Sequence, residues 1–236
     1  MRFRYGGVRS AIASLRLSGT ASRVRRDRLT YLTPQKLLRI EQAMRRVKDG
    51  QVAGDFLEFG VALGGASIVI ATEARAQHRA FAGFDVFAMI PPPSSVKDDA
   101  KSKERYAVIA AGKSKGIGGD AYYGYRPDLY ADVVASFQRH GNPVDGDRVA
   151  LWKGLFEETW PKRKAGAIAF AHIDCDWYDP VKFCLESAAA QLQPGGIMML
   201  DDYHDYGGCR VATEEFRAAR PDFIFEDGPN PALVRV

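Results

Sequence analysis

Short apolar runs that end in acidic residues alternate along this chain with segments in which apolar residues recur at helical spacing. Two of these runs, at 167–173 and 196–200, are typical of buried strands. Four acids follow them, namely Asp174, Asp176, Asp201 and Asp202. The segment 181–192 between the runs has helical spacing and is followed by Pro194. This order predicts a strand–helix–strand unit whose two strands are parallel.

The four acids are expected at one edge of a sheet. The carboxyl ends of neighbouring parallel strands lie about 5 Å apart, at the edge where open α/β sheets bind ligands. A cluster of three or four carboxylates needs a shared proton or a bound cation to offset its repulsion. Oxygen ligands favour Mg²⁺, Mn²⁺ or Ca²⁺ over zinc. The alternative is that the acids are solvated side chains at strand ends with no role.

The same patterns predict further elements on both sides of this unit. Thr33 and Pro34 predict the start of a helix that Gly50 ends. Other helices are predicted at 66–77, 130–139 and 210–220. Other strands are predicted at 55–59, 80–85, 148–152, 223–225 and 232–236. Turn residues between the last two strands predict a β-hairpin, and the alternation as a whole predicts an α/β fold.

A turn that contains Gly60 and Gly64 joins the strand at 55–59 to its helix. Such a turn presents backbone N–H groups to an anionic or carboxylate ligand, although a tight turn without a ligand has the same appearance. The spacing is not that of the dinucleotide fingerprint. Asp85 ends the next strand 25 residues after Gly60, near the spacing at which an acid binds ribose hydroxyls. Turn and acid together predict a ribose-bearing cofactor.

Residues 1–33 show little periodicity and predict a basic arm ahead of one domain at 34–236. Residues 1–30 hold eight Arg and one acid, so the rest of the chain carries a net charge of −3 although the total is +4. This argues against a nucleic-acid-binding body, whose basic residues would cluster on a folded face. The arm is either a disordered tail or a lid or oligomer contact. Its apolar anchors would be Tyr5, Ile12, Leu15 and Leu17.

The segment 90–129 is long for a connection and predicts an insertion within the domain. Insertions of this length are usually lids or binding loops, and the alternative is a mobile loop without a ligand. Three tyrosines near its end could stack on a sugar or another flat acceptor. They are Tyr122, Tyr123 and Tyr125.

The three cysteines have no framework spacing and predict reduced thiols in a cytoplasmic protein. No apolar run is long enough for a membrane span, so no membrane partner is expected. The N-terminal segment lacks the apolar core of a secretory signal, and its Arg-rich composition faintly resembles an organelle transit peptide.

Five strand–helix units before a C-terminal hairpin match the Rossmann-like, seven-stranded sheet of class I methyltransferases, which is mostly parallel with an antiparallel hairpin. From about Leu29 onward the chain resembles the macrocin O-methyltransferase family. The matching segments are 54–61 with 64–67, 85–87 with Pro91, 153–159, 173–178, 194–196, 201–203 with Cys209 and Arg210, and 215–217. The resemblance implies methylation of a sugar hydroxyl of a natural product with S-adenosylmethionine (SAM) and Mg²⁺ as cofactors.

The resemblance also implies a role for each matching residue. The SAM-binding residues would be Glu58, Gly60, Gly64, Ser67, Asp85, Gly154 and Asp174. The metal ligands would be Asp174, Asp201 and Asp202. Asp176 would be the general base, and a loop histidine, His204, is a rival base. The chain departs from the family pattern at Cys175, where glycine is usual, and near His172, where arginine is usual.

Other functions remain open from the sequence alone. The Asp174-Cys175-Asp176 run is also compatible with the metal-binding DxD of a nucleotide-sugar glycosyltransferase or with the nucleophile pair of a phosphatase. A third interpretation is a non-catalytic SAM-fold binding subunit, which the acids at every expected position oppose. We expect a small, glycosidic hydroxyl acceptor, no nucleic-acid partner, and a homo-oligomer.

Overall fold

A single seven-stranded sheet forms the centre of the computed structural model, which describes residues 3–236, with side chains from Ser10 onward. The strands are β1 (Asp55–Phe59), β2 (Phe81–Asp85), β3 (Val149–Lys153), β4 (Ile168–Ile173), β5 (Leu192–Leu200), β6 (Phe223–Glu226) and β7 (Ala232–Arg235). Their order across the sheet is β3-β2-β1-β4-β5-β7-β6. The first five are parallel, and β7 pairs antiparallel with both β5 and β6. The predicted fold class, including the hairpin, is confirmed.

Helices cover both faces of this sheet. In the described part of the chain they are α1 (Phe3–Arg16), α2 (Gly19–Arg26), α3 (Pro34–Asp49), α4 (Gly65–Ala76), α5 (Ala100–Ala110), α6 (Leu129–Arg139), α7 (Phe156–Thr159), α8 (Tyr178–Ala189) and α9 (Gly207–Ala219). None of these described helices has the length and apolar character that crossing a membrane requires.

Strand alternation divides the core into two layers. Phe56, Phe170 and Met199 belong to the layer on the side of α3 and α4. Leu57, Ile173 and Leu200 belong to the opposite layer, which α8 and α9 cover. The strand order reverses direction between β1 and β4, and a crevice for ligands is expected there at the carboxyl ends of the strands.

The end of the helix before β5 differs from the prediction. α8 ends at Ala189, and β5 begins at Leu192, so Pro194, Gly195 and Gly196 lie inside the strand. The pairing of β4 with β5 shifts register at this point, and Gly195 has a φ of +78°. The proline and glycines therefore produce an irregularity in the strand rather than the stop of a helix.

The segment 1–33, predicted without regular structure, contains two helices. α1 packs against α3 and α2 packs against α4, while Leu29 O accepts a hydrogen bond of 2.9 Å from Gly65 N. Of the predicted anchors, the side chain of Tyr5 lies outside the described residues. Ile12 and Leu15 are 53% and 88% exposed, and Leu17 packs partly buried against the core.

The insertion 90–129 is tied to the body by partly buried hydrogen bonds. Asp99 caps α5 and also accepts a hydrogen bond from Gly207 N at the start of α9. The Trp177 indole N–H donates to Pro91 O at 3.0 Å. These contacts hold α5 over the carboxyl ends of the strands.

Candidate active site

A cavity of about 930 Å³ lies at the carboxyl ends of β1, β2, β4 and β5, beneath α5. Gly60 and Asp85 line one end, and Asp174, Asp201 and Asp202 line the other. The size suits a site for small molecules, which usually lies between about 300 and 1,000 Å³. Both sets of candidate residues therefore share one cavity.

Three carboxylates converge at the second end of the cavity. Asp174, Asp201 and Asp202 each offer an oxygen, and these oxygens lie within 4.8 Å of one another. The convergence follows from strand pairing, because β4 and β5 are parallel neighbours and the acids come directly after them. Burial, followed by the charges of the neighbouring acids, raises the pKa of Asp174 and Asp202 well above the usual carboxyl range.

The donor set fits a hard divalent cation. Asp201 Oδ1 is buried and has no hydrogen-bond partner within the described residues. A buried, unpaired carboxylate oxygen is costly unless a ligand satisfies it. Three oxygen donors that converge in this way are the chemistry that Mg²⁺ and Mn²⁺ prefer.

Lys36 of α3 holds the other oxygen of Asp201. Its ammonium donates to Asp201 Oδ2 at 2.8 Å, to Asp201 O at 2.9 Å and to Asp205 Oδ2 at 3.2 Å. Burial acts to lower the pKa of Lys36, but these carboxylates outweigh it and the pKa is raised. Lys36 thus stays charged and orients one member of the acid cluster.

Asp176 lies beside the cluster in a strained backbone conformation. Its φ is +57°, and its N–H donates to Asp202 Oδ2 at 3.0 Å. Burial and the charge of Asp201 raise the pKa of Asp176 to about 7, against an opposing effect of Arg105. A carboxylate with a pKa near neutrality is suited to accept a proton.

His204, the rival base, points away from the cavity. Its Nε2 lies 3.1 Å from Asp227 Oδ1 and 3.0 Å from Gly228 O, and its side chain is 46% exposed. Among the described residues, Asp205 and Tyr206 line the cavity but His204 does not.

The other end of the cavity combines a tight turn with a buried acid. A Cβ on Gly60 would lie 1.8 Å from Asp174 O, so only glycine allows β1 and β4 to continue into this edge. The Asp85 carboxylate accepts hydrogen bonds from Ala62 N at 2.9 Å and Phe87 N at 2.6 Å. The turn after β1 is thereby fixed to the end of β2.

Glu58, on β1, is buried and connects to two further side chains. Ser67 Oγ donates to one of its oxygens, and His172 Nδ1 lies 2.7 Å from the other. Glu58 lines the cavity, whereas Ser67 is fully buried behind it.

Two of the predicted cofactor-binding glycines shape the backbone instead of lining the cavity. Gly64 has a φ of +85° and forms the N-cap of α4. Gly154 N donates to Asp85 O at 3.0 Å, and the residues after it, 155–158, line the cavity. Both glycines therefore support residues that face the cavity.

Several side chains of the site could not be recognised as site residues from the sequence. Lys36 and Arg105 come from helices far from the acids along the chain, and the role of His172 depends on strand pairing. The structure brings two of the predicted tyrosines, Tyr122 and Tyr123, to the cavity wall. The third, Tyr125, donates its hydroxyl to Ile109 O at 2.6 Å within the insertion.

The model of the family described as Macrocin-O-methyltransferase (TylF) matches residues 14–115 and 129–222 of this chain. A curated relative from Streptomyces olivaceus, the 8-demethyl-8-(2,3-dimethoxy-alpha-L-rhamnosyl)-tetracenomycin-C 4'-O-methyltransferase, is 27% identical over 80% of this chain and 67% of its own length. The mycinamicin III 3''-O-methyltransferase of Micromonospora griseorubida is 33% identical over 39% of this chain and 35% of its own length.

Solved structures share the fold. The O-methyltransferase NovP superposes with a TM-score of 0.71 at 23% identity, covering 88% of this chain and 82% of that one. The SAH-bound Podospora anserina methyltransferase PaMTH1 superposes with a TM-score of 0.62 at 14% identity, covering 100% of this chain and 96% of that one.

Proposed function

Because this chain belongs to the macrocin O-methyltransferase family, we propose that it transfers a methyl group from SAM to a hydroxyl of a sugar-bearing natural product, with Mg²⁺ as metal cofactor. The observation that carries the proposal is the convergence of Asp174, Asp201 and Asp202 within 4.8 Å, in the cavity that Gly60 and Asp85 also line.

The donor would occupy the end of the cavity formed by β1 and β2. Asp85 and Glu58 are the acids there that can accept hydrogen bonds from ribose or amino groups, and the Gly60 turn allows close approach. Gly64, Ser67 and Gly154 would support this end through the backbone and through Glu58. Asp174 lies where the two ends of the cavity meet.

The acceptor would bind between the acids and the insertion. Mg²⁺ held by Asp174, Asp201 and Asp202 would lower the pKa of an acceptor hydroxyl and fix its direction. Asp176 would then receive the hydroxyl proton, and holding the oxygen in line with the methyl carbon can contribute roughly 7–11 kcal/mol. The aromatic rings of Tyr122 and Tyr123 would pack against the acceptor.

The relatives favour a glycosidic acceptor. The name of the tetracenomycin enzyme includes a dimethoxyrhamnosyl group, and the two relatives are named for O-methylation at primed positions, 4' and 3'' respectively. Family membership favours methyl transfer over the glycosyltransferase interpretation of the DxD run. A homo-oligomer and a cytoplasmic location remain predictions.

The experiment is a methyl-transfer assay with labelled SAM and a panel of rhamnosides and nucleotide-linked deoxysugars. We expect Mg²⁺-dependent label in at least one acceptor, loss of transfer with EDTA, and loss of transfer in D202N, while H204Q stays close to wild type. Failure of the pure protein to bind SAM or S-adenosylhomocysteine (SAH) would contradict the proposal.

A further inference from the structure

A row of three buried polar side chains crosses the sheet beneath the cavity. Glu58 on β1 is in register with His172 on β4, which is followed two residues later by Asp174. Asp201 comes directly after β5, on the side of the sheet that also carries Met199. Glu58, His172 and Asp201 are 1%, 0% and 6% exposed.

His172 connects the two ends of this row unequally. Its Nδ1 is 2.7 Å from Glu58 Oε1, which is a full hydrogen bond. Its Nε2 is 4.0 Å from Asp201 Oδ1, which is too long for one. Both Nε2 and Oδ1 are buried and lack any hydrogen-bond partner in residues 10–236.

Two buried, unpaired polar atoms that lie 4.0 Å apart are a costly arrangement. Lys36 already holds the other oxygen of Asp201, so the carboxylate cannot turn to satisfy both Lys36 and His172 as it stands. A ligand that moves Asp201 therefore changes the surroundings of His172 Nε2. A ligand that moves Glu58 changes the hydrogen bond at His172 Nδ1.

We propose that His172 is a positioning residue that couples the donor subsite to the metal subsite, through Glu58 on one side and Asp201 on the other. The proposal rests on the proposed function, because it assigns Glu58 to the donor and Asp201 to the cation. A ligand that shifts either carboxylate alters the surroundings of the imidazole between them, and we expect SAM and the cation to bind with positive cooperativity through this row.

Calorimetry on the full chain tests this with SAH and Mg²⁺ as probes. SAH has no sulfonium charge, so direct repulsion between donor and cation does not mask the coupling. In the wild type we expect saturating Mg²⁺ to tighten SAH binding by about fivefold or more relative to EDTA. Thermodynamic linkage requires SAH to tighten Mg²⁺ binding by the same factor.

Two variants separate the two contacts of the imidazole. H172N keeps an amide that can bond Glu58 but cannot reach Asp201. The affinity for SAH in EDTA should therefore stay within about threefold of the wild-type value. The tightening of SAH binding by Mg²⁺ should fall below about twofold. H172Q, whose amide extends toward Asp201, should recover part of the coupling. The packing control is M199L, because Met199 is the buried register partner of His172 on β5. It should keep the wild-type coupling.

Each outcome supports or overturns the proposal. Wild-type coupling in a folded H172N, or separate SAH and Mg²⁺ binding without coupling in the wild type, would overturn the role of His172 and leave the proposed function intact. Should H172N fail to fold, H172Q carries the test: coupling weaker than in the wild type and M199L supports the role of His172, and coupling equal to theirs overturns it. If the wild type binds no SAH at all, the proposed function fails and this proposal fails with it.

Discussion

The ammonium of Lys36 lies 2.8 Å from Asp201 Oδ2, so a residue of the helix at Pro34–Asp49 fixes a carboxylate that follows β5. Lys36 is 15% exposed and supplies a positive charge next to three acids. It therefore offsets part of the repulsion among these acids and leaves Asp201 Oδ1 available to a cation.

The first prediction concerns removal of this charge. K36M should lower the free energy of unfolding in EDTA by about 1–3 kcal/mol, because it leaves a buried carboxylate oxygen unpaired. Saturating Mg²⁺ should reduce this loss, since a cation replaces the missing charge. Denaturant melts in EDTA and in Mg²⁺ measure both values. The matched control is K48M on the exposed side of the same helix, and a loss for K36M no larger than for K48M would contradict the role of Lys36.

The second prediction is a pH dependence of stability. The pKa of Asp176 is raised to about 7 in the folded protein, whereas an unfolded Asp titrates near 3.9. Between these values the folded state binds more protons, so Asp176 costs stability as pH rises from about 4 to about 7. D176N should match the wild type near pH 4 and melt at a higher temperature than wild type at pH 8.

Thermal melts in EDTA between about pH 4 and pH 8 test whether Asp176 stabilises or destabilises the folded protein as the pH rises. Mg²⁺ should stabilise the wild type more at pH 8 than at pH 5, because cation binding competes with protons on the cluster. A D176N protein that is less stable than wild type at pH 8 would contradict the raised pKa.

The third prediction distinguishes the general base, Asp176, from a metal ligand, Asp201. D176N should lower the methyl-transfer rate by about 10²- to 10⁴-fold, the range for loss of a general base, while its Mg²⁺ affinity stays within a few-fold of wild type. D201N should lose the metal as well as the activity. H204Q serves as the control, because His204 is bonded to Asp227 outside the cavity. A rate loss in H204Q comparable to that in D176N would reverse the assignment.

The fourth prediction concerns the close approach of β1 and β4. G60A should destabilise the protein by several kcal/mol and abolish SAH binding, because its Cβ would meet Asp174 O at 1.8 Å. Gly141 also has a positive φ, of +75°, but a Cβ at that position would meet no neighbouring atom within 4 Å. G141A should therefore cost only the conformational strain, about 1–2 kcal/mol. An equal loss of unfolding free energy in G60A and G141A would show that the contact at Gly60 is unimportant.

The strand-end acids could be predicted from sequence because each follows an apolar run, and parallel neighbours bring such ends together by geometry alone. Asp174 and the Asp201–Asp202 pair met this condition. The turn at Gly60 and the acid at Asp85 were predictable for the same reason, since both follow a buried strand.

Lys36, Arg105 and His172 could not be predicted in this way. Lys36 is 165 residues from Asp201 along the chain, and only the packing of its helix on the sheet makes them neighbours. His172 lies in a buried strand, and its contact with Glu58 follows only from the register of β1 with β4, which the sequence does not reveal. The helix Gly19–Arg26 was also missed, because only two of its residues are buried and the helix depends on packing against Gly65–Ala76.

The most direct measurement of the central claim is a Mn²⁺ titration, followed by electron paramagnetic resonance, of SAH-loaded protein. The account predicts one bound Mn²⁺ per chain in the wild type and in D176N, and loss of that site in D201N and D202N. Undiminished Mn²⁺ binding in D201N and D202N would show that Asp174, Asp201 and Asp202 do not form the metal site.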